Sequence, residues 1–316
     1  MVNGDISNSL AIGIEIGGTK IQAGVGSASG KLLMSPVRKQ VIQESGAEGI
    51  LRDIVVMVAD ALTSTRHSLS DIDRIGIGFG GVLDTNQGLI LKSYQIAGWD
   101  NFPLKTWAEK QWEKPVVIQN DASTAGLAEA LHGSGRGYSR VFYMTIGSGI
   151  GGGWIVDGKV DNGQGIGAAE MGHTWVPDPI SGRPAELEQI ASGWGIGRRA
   201  RAAAENKKSL MTEMAGARDV IDARIVYAAV EQGDKVAKQI LDETCQALGI
   251  AISNVIALLH PERVIVGGGV SLMGPLFWNA LRSEVTARSM PSFISSVEVV
   301  RAELGEDVVV IGALCL

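Results

Sequence analysis

The chain has 316 residues with 28 Lys and Arg against 34 Asp and Glu, a net charge of −6. It carries no dense basic run, which argues against a dedicated nucleic-acid or anionic-membrane surface. That length suffices for two domains of ordinary size sharing a cleft, or for one large one. The two cysteines, Cys245 and Cys315, lie far apart in sequence and make neither a disulfide framework nor a CxxC metal site, so a reducing compartment is the simplest reading. With no N-terminal apolar h-region and no run of about eighteen apolar residues, a soluble, cytoplasmic protein is expected.

Residues 10–16, LAIGIEI, read as a buried strand; Gly17, Gly18, Thr19 and Lys20 turn the chain, and residues 21–25 lead out with the two-residue period of a second strand. Gly13 and Gly18 have the separation of a Walker A loop. That loop needs Gly-Lys-Ser/Thr and then a helix, whereas this chain has Gly18-Thr19-Lys20 and then a strand, which excludes it. Residues 47–65 repeat apolar side chains at Ile50, Ile54, Val55, Val58, Ala61 and Leu62, a helical stripe, and residues 75–79 form a short apolar strand entering Gly80-Gly81. Strands interleaved with helix predict an α/β layer architecture. Segments 94–99 and 102–107 hold much of the aromatic content, suited to packing or to stacking on a sugar ring.

Residues 116–118 form another strand, delivering Asn120 and Asp121 to its C-terminal end before the alanine-rich helix 122–131. Asp121 therefore sits at or near a helix N-terminus, where Asp is a favoured cap and where the dipole favours its ionised form by about 0.3–1 kcal/mol. Ligands of open α/β sheets gather at the ends of strands, so the position also suits function.

The glycine-dense stretch 145–173, TIGSGIGGGWIVDGKVDNGQGIGAAEMGH, is entered by the apolar run 141–146 and left through 152–156, again strand, Gly turn, strand. A turn that exposes successive N–H groups is an anion-binding concavity. A dinucleotide fingerprint would need a helix directly after the glycines, and Trp154-Ile155-Val156 is a strand instead. Two such hairpins suggest an oligophosphate held from both sides of a cleft. Glu170 and His173 share a face if residues 168–173 are helical. Glu-x-x-His alone is half a metal site, and no second pair or cysteine cluster completes one. Glu188, in ELEQIA at 186–191, is a third polar group; together the three could bond vicinal hydroxyls and reject analogues lacking them. Segments 219–231 and 234–259 are helical scaffold. Residues 263–266 form a strand entering Gly267, Gly268 and Gly269, a turn that could let backbone approach adenine or ribose, and the apolar end 308–316 is expected to pack against the first domain.

The ordered set GGTK, NDAS, IGSGIGGG, GAAEMGH, ELEQIASG and VIVGGGV resembles the ROK family (repressor, open reading frame, kinase) of sugar kinases, within the actin and hexokinase superfamily, over residues 12–312. The resemblance implies an α/β, two-domain actin-like ATPase (ribonuclease H-like) fold with a central cleft. A smaller domain would span 1–120 plus about 301–316, and a larger one 121–300. It implies an ATP-dependent hexose kinase with Asp121 as catalytic base and Asn120, Gly81, Glu170, His173 and Glu188 on the sugar. Gly17, Gly18, Thr19 and Lys20 would hold phosphate, as would Thr145, Gly147, Ser148 and Gly149; Gly267, Gly268 and Gly269 would hold adenosine, and Glu15 would meet Mg²⁺ through water. Its implied partners are a small-molecule sugar and ATP, with no nucleic acid or membrane, in a homodimer.

The chain departs from that pattern at identifiable positions. Glu15 stands where the family has Asp, one methylene longer. The zinc motif CxCGxxGCxE is replaced by residues 180–188, ISGRPAELE, which keep the Glu and have no Cys, so no structural zinc is expected and something other than metal must position His173. Ser123 replaces the second Asn of NDxN, Gln95 stands in place of an Asn before the Gly-Trp pair, and Ala169 replaces a Gly. Two rival readings are a sugar-responsive repressor and a catalytically silent sugar-binding protein. Repressors of the family carry a winged helix-turn-helix ahead of the first Gly loop, and only residues 1–9 precede the first strand here.

Overall fold

The computed structural model describes residues 9–93, 95–206 and 208–316; Tyr94, part of the aromatic segment above, lies outside the described residues. In chain order the elements begin β1 (Leu10–Ile16), β2 (Lys20–Ser27), β3 (Val37–Gln40), α1 (Gly46–Thr65), β4 (Ile72–Phe79), β5 (Val82–Asp84), β6 (Leu89–Lys92), α2 (Leu104–Trp112), β7 (Val116–Asn120) and α3 (Asp121–His132). They continue with β8 (Arg140–Ile146), β9 (Ile150–Val156), β10 (Lys159–Val160), β11 (Trp175–Pro177), β12 (Pro184–Glu186), α4 (Leu187–Ala191), α5 (Gly193–Asn206), α6 (Leu210–Ala215), α7 (Ala223–Glu231) and α8 (Lys235–Leu259). The last are β13 (Arg263–Gly267), α9 (Pro275–Arg288), α10 (Pro291–Ile294), β14 (Glu298–Arg301) and α11 (Val308–Leu314). The chain separates into two compact units: Met1–Ser139, Gly153–Ala168 and Glu303–Leu316 in the first, Arg140–Gly152 and Ala169–Ala302 in the second.

The first unit is built on a five-stranded sheet of order β3-β2-β1-β4-β7. β1 and β2 pair antiparallel across the GGTK turn, while β1, β4 and β7 run parallel. Their register aligns Ile16 with Phe79 and Phe79 with Asn120, so three strands end level and release Gly17, Gly80 and Asp121 at one edge of the sheet. Ile12, Ile14, Ile75 and Ile77, almost fully buried, form the core with the apolar stripe of α1. Among the described aromatics of segments 94–99 and 102–107, Trp99, 1% exposed, meets Phe79 and Phe102 edge-on at centroid distances of 5.0 and 5.3 Å.

The sequence places a domain boundary before residue 121, but α3 groups with the first unit. It lies close against α11, where a side chain on Gly312 would come within 2.0 Å of the Thr124 carbonyl oxygen, so only glycine permits the approach. The buried Glu129 adds a second tie: its carboxylate accepts the N–H groups of Glu303 and Leu304, each at 2.8 Å, and that of Ser134 at 2.9 Å. The apolar C-terminal stretch is thus a helix, α11, packed in the first unit as expected, with Val310 and Leu314 fully buried.

In the second unit β8, β13 and β14 lie side by side, with β13 parallel to both β8 and β14. Gly267 is in register with Thr145, which brings the third glycine turn beside the second hairpin. α8 is apolar and long enough by composition to cross a membrane, yet 67% of its most apolar window is buried, the pattern of a core helix. The condition for Glu170 and His173 to share a helical face is not met: residues 168–173 are not a helix. Ala169 has φ +63°, outside the right-handed region, and only Met171–His173 form a short 3₁₀ turn.

Candidate active site

The level strand ends of the first unit assemble its polar groups. Asn120 is the N-cap of α3, its Oδ1 accepting the Ser123 N–H at 3.1 Å, so Asp121 is the first helical residue rather than the cap itself. Asp121 Oδ1 accepts the Ala122 N–H at 2.8 Å. Oδ2 lies on the side of Gly80, 3.0 Å from where a Cβ on that glycine would stand, so the absence of a side chain there keeps this oxygen accessible. Gly80 in turn donates its N–H to Ile16 O at 2.8 Å and borders Gly17. Burial of its carboxyl group raises the Asp121 pKa above the ordinary Asp range, with the Ala122 N–H partly opposing. Asn120 Nδ2 reaches Gly81 O at 3.4 Å.

Glu15 points from β1 into the same unit and is 6% exposed. Its Oε2 accepts a short hydrogen bond from Gln22 Nε2 and lies 3.6 Å from Lys20 Nζ. Burial raises its pKa first, Lys20 and Gln22 lower it, and the Asp121 charge adds to the rise. Lys20 Nζ and Gln22 Nε2 both donate to the Glu306 carbonyl, at 3.2 and 2.9 Å, so the first loop is tied to the start of α11. The GGTK turn is closed by Gly17 N–H to Lys20 O at 3.0 Å. Gly18 is covered by the Gln95 side chain: a Cβ at Gly18 would overlap Gln95 Oε1.

In the second unit the turn of the second hairpin, from Thr145 through Gly147 and Ser148 to Gly149, is fixed by backbone. Gly147 N–H donates to Gly149 O at 2.9 Å, while the first two N–H groups of α5, from Gly193 and Trp194, reach Gly147 O and Ser148 O at 2.8 and 3.3 Å. Glu188, in α4, turns its Oε2 onto this hairpin and accepts the Ile150 N–H at 2.8 Å, occupying the space that a side chain on Gly149 would need. Glu170 and His173 bracket the 3₁₀ turn, joined by His173 N–H to Glu170 O at 3.2 Å, and the His173 side chain is 56% exposed. Gly268 has φ +80° and lies against the backbone of Ile146, a conformation and a closeness that only glycine fits; nothing lies within 4 Å of where a Cβ on Gly147 or Gly269 would stand, so both turns offer bare backbone.

Three contributors escaped the sequence reading as site residues. Gly80 was seen only as the glycine after a strand, and its packing against Asp121 depends on the register of β4 and β7. Gln22 and the Glu306 carbonyl meet the first loop from β2 and from a segment 284 residues away from Gln22, for which no local pattern exists. The second-loop role of Glu188 likewise depends on a contact 38 residues along the chain.

Comparison with known proteins gives three concordant results. The sequence profile described as "ROK family" matches residues 11–316. A glucokinase of Thermotoga maritima is 34% identical over 308 residues, covering 96% of this chain and 95% of the relative, and a xylose repressor of Caldicellulosiruptor bescii is 27% identical over 100% of this chain and 79% of its own length. The crystal structure of a ROK family glucokinase from Streptomyces griseus, solved with glucose and AMPPNP, superposes with a TM-score of 0.82 at 32% identity, covering 97% of this chain and 98% of that one.

Proposed function

The chain belongs to the ROK family, and we propose that it is an ATP-dependent hexose kinase, moving the γ-phosphate of ATP to a sugar hydroxyl, the 6-OH of glucose or a related hexose. Its fold is the actin-like ATPase fold of the ROK kinases. The observation that carries the proposal is the strand register of the first unit, which sets the Asp121 carboxylate beside Gly80 and the GGTK turn.

Asp121 acts as general base. Its Oδ1 is held by the Ala122 N–H, and Oδ2, on the Gly80 side, takes the proton of the sugar hydroxyl as that oxygen attacks phosphorus. A raised pKa makes this carboxylate a stronger base than an ordinary Asp. Sugar binding is assigned to Asn120, Gly81, Glu170, His173 and Glu188. The first loop, Gly17 to Lys20, and the second, Thr145 to Gly149, present N–H groups to phosphate, and Gly267 to Gly269 to the nucleoside.

Mg²⁺ fits Glu15, a hard oxygen donor whose pKa is raised by burial and further by the Asp121 charge, so that a cation beside it would favour its ionised form. Glu15 would hold it through water, and when bound it supplies positive charge to the phosphate oxygens. Lys20 and Gln22 keep Glu15 fixed in place. A homodimer and a cytoplasmic location complete the proposal.

The match to a xylose repressor supports a second reading, a sugar-responsive regulator. The test is a coupled ADP-release assay over a panel of about ten sugars, run beside a DNA gel shift. Sugar-dependent ADP release supports the kinase; sequence-specific, salt-sensitive DNA binding without ADP release supports the regulator.

A further inference from the structure

The zinc implied by the family motif has no ligand set here. Residues 180–188 contain no cysteine, and the chain's two cysteines belong to α8 and to the end of α11. Among the described residues no group of three or more His, Cys, Asp or Glu is arranged to hold a metal ion. The segment is nonetheless ordered by its own contacts.

β11 and β12 form a hairpin in which Trp175 pairs with Glu186, Val176 with Ala185 and Pro177 with Pro184. Its turn is closed by Asp178, which exchanges backbone hydrogen bonds with Arg183 and Gly182, both at 2.8 Å, while its Oδ1 accepts the Ile180 and Ser181 N–H groups at 2.7 and 3.1 Å. Asp178 Oδ2 faces Arg199 Nη1 at 3.3 Å. Arg199, on α5, is 8% exposed at its side chain, and its Nη2 donates to Glu243 Oε2 on α8 at 2.6 Å. A buried guanidinium between two carboxylates is a pair of charge-assisted bonds from a rigid fork, so it fixes direction as well as distance. The turn of the hairpin is thereby anchored to two helices of the same unit.

The other end of the hairpin carries the consequence. Glu186, at the close of β12, holds its Oε2 3.8 Å from His173 Nδ1 and 3.4 Å from Gln189 Nε2. Leu187 N–H donates to Thr174 O at 2.9 Å, which locks the residue after Glu186 to the residue after His173. At 3.8 Å the contact is an electrostatic one rather than a hydrogen bond; the carboxylate's charge favours the tautomer with the proton on the nearer ring nitrogen and leaves the other as an acceptor.

We propose that this hairpin is a metal-free clamp: Arg199, through Asp178 and Glu243, anchors it, and Glu186 orients the His173 imidazole so that Nε2 receives a sugar hydroxyl. Arg199 and Glu186 are positioning residues, since neither is placed on substrate. The inference rests on the kinase reading.

The test joins kinetics to a spectroscopic readout on the full-length protein. Glu186→Ala and Arg199→Met are each expected to raise the hexose KM about tenfold, the order of a sugar hydrogen bond lost when the imidazole is misoriented, with the ATP KM and kcat within about twofold. Arg199→Lys, which keeps charge but not the fork, should recover only part of the loss. With ¹⁵N-histidine labelling of the four histidines, His173 should show the Nδ1–H tautomer in the parent protein and a shift toward Nε2–H in Glu186→Ala. Dialysis against a zinc chelator, with Mg²⁺ restored, should leave the hexose KM unchanged. An unchanged KM and tautomer in Glu186→Ala overturn the proposal, as does a KM that rises after chelation and returns with added zinc. If Arg199→Met does not fold, Glu186→Ala, whose side chain is 30% exposed in the parent, decides alone. A parent protein without kinase activity refutes the kinase reading, while the tautomer shift still decides the clamp.

Discussion

The two glycine hairpins have the same sequence form and are held in different ways. The first, between β1 and β2, is surrounded by ionisable side chains: Glu15, Lys20 and Asp121 at the level strand ends, two of them carboxyls whose pKa values are raised by burial. The second, between β8 and β9, is held by backbone, with N–H groups of α5 on its carbonyls and Glu188 on the N–H of Ile150. The first is costly to keep charged and is suited to moving a proton. The second is a fixed cradle, suited to holding phosphate still. Similar glycine patterns therefore mark sites with unequal chemistry, and the flanking elements decide which.

The comparison can be broken most severely at Asp121. Asp121→Asn is expected to lower kcat at least about 10²-fold, the low end for a general base, with the sugar KM little changed. The same variant should be more stable than the parent at neutral pH. A carboxyl with a raised folded-state pKa binds its proton more tightly when folded, so stability present at low pH is lost as pH rises from the unfolded pKa through the folded one. Removing the charge removes that loss. Thermal melts at pH 7 check this, and a lower Tm would contradict the burial argument.

Next comes Gly80→Ala, which adds a Cβ 3.0 Å from Asp121 Oδ2 and so crowds the proposed base. A fall in kcat of roughly 10- to 100-fold is expected, since misplacing a reacting group by a fraction of an ångström is enough. Steady-state kinetics with circular dichroism separate this from loss of fold.

A smaller effect is expected in the second hairpin. Gly149→Ala places a Cβ 2.4 Å from Glu188 Oε2 and displaces it from the Ile150 N–H, a cost of about 1.5–3 kcal/mol for a hydrogen bond to a charged group. Because this loop is a cradle, the ATP KM should rise more than kcat falls. An equal fall in kcat and kcat/KM would place the second hairpin in the chemical step and erase the distinction.

The smallest change is at Ala169, where φ is +63°. A non-glycine residue in this region is strained by about 1–2 kcal/mol, and glycine gives back part of that through the freedom of the unfolded chain. Ala169→Gly should therefore stabilise by roughly 0 to 1 kcal/mol in denaturant melts. A clear loss would mean that the Ala169 side chain has packing value that outweighs its backbone strain.

The elements were largely legible in the sequence because the apolar periods of 10–16, 47–65, 116–118 and 234–259 are strong, and each is met by the matching strand or helix. What sequence could not supply was register. The nearness of Gly80 to Asp121 follows from Phe79 pairing with both Ile16 and Asn120. That residues 168–173 are not helical was not legible, because alanine does not signal the positive φ found at Ala169. Asp121 is the first residue of α3, not its cap, because Asn120 one position earlier satisfies the same end of the helix.

The proposed proton-accepting role of Asp121 is tested most directly by the pH dependence of kcat/KM for the hexose, measured on the parent and on Asp121→Asn. The parent should lose activity as pH falls, with an acid limb above the ordinary Asp value of about 3.9 because burial raises this carboxyl. In Asp121→Asn the residual rate should show no such limb; the same limb persisting in the variant would assign the titration, and the base, to another group.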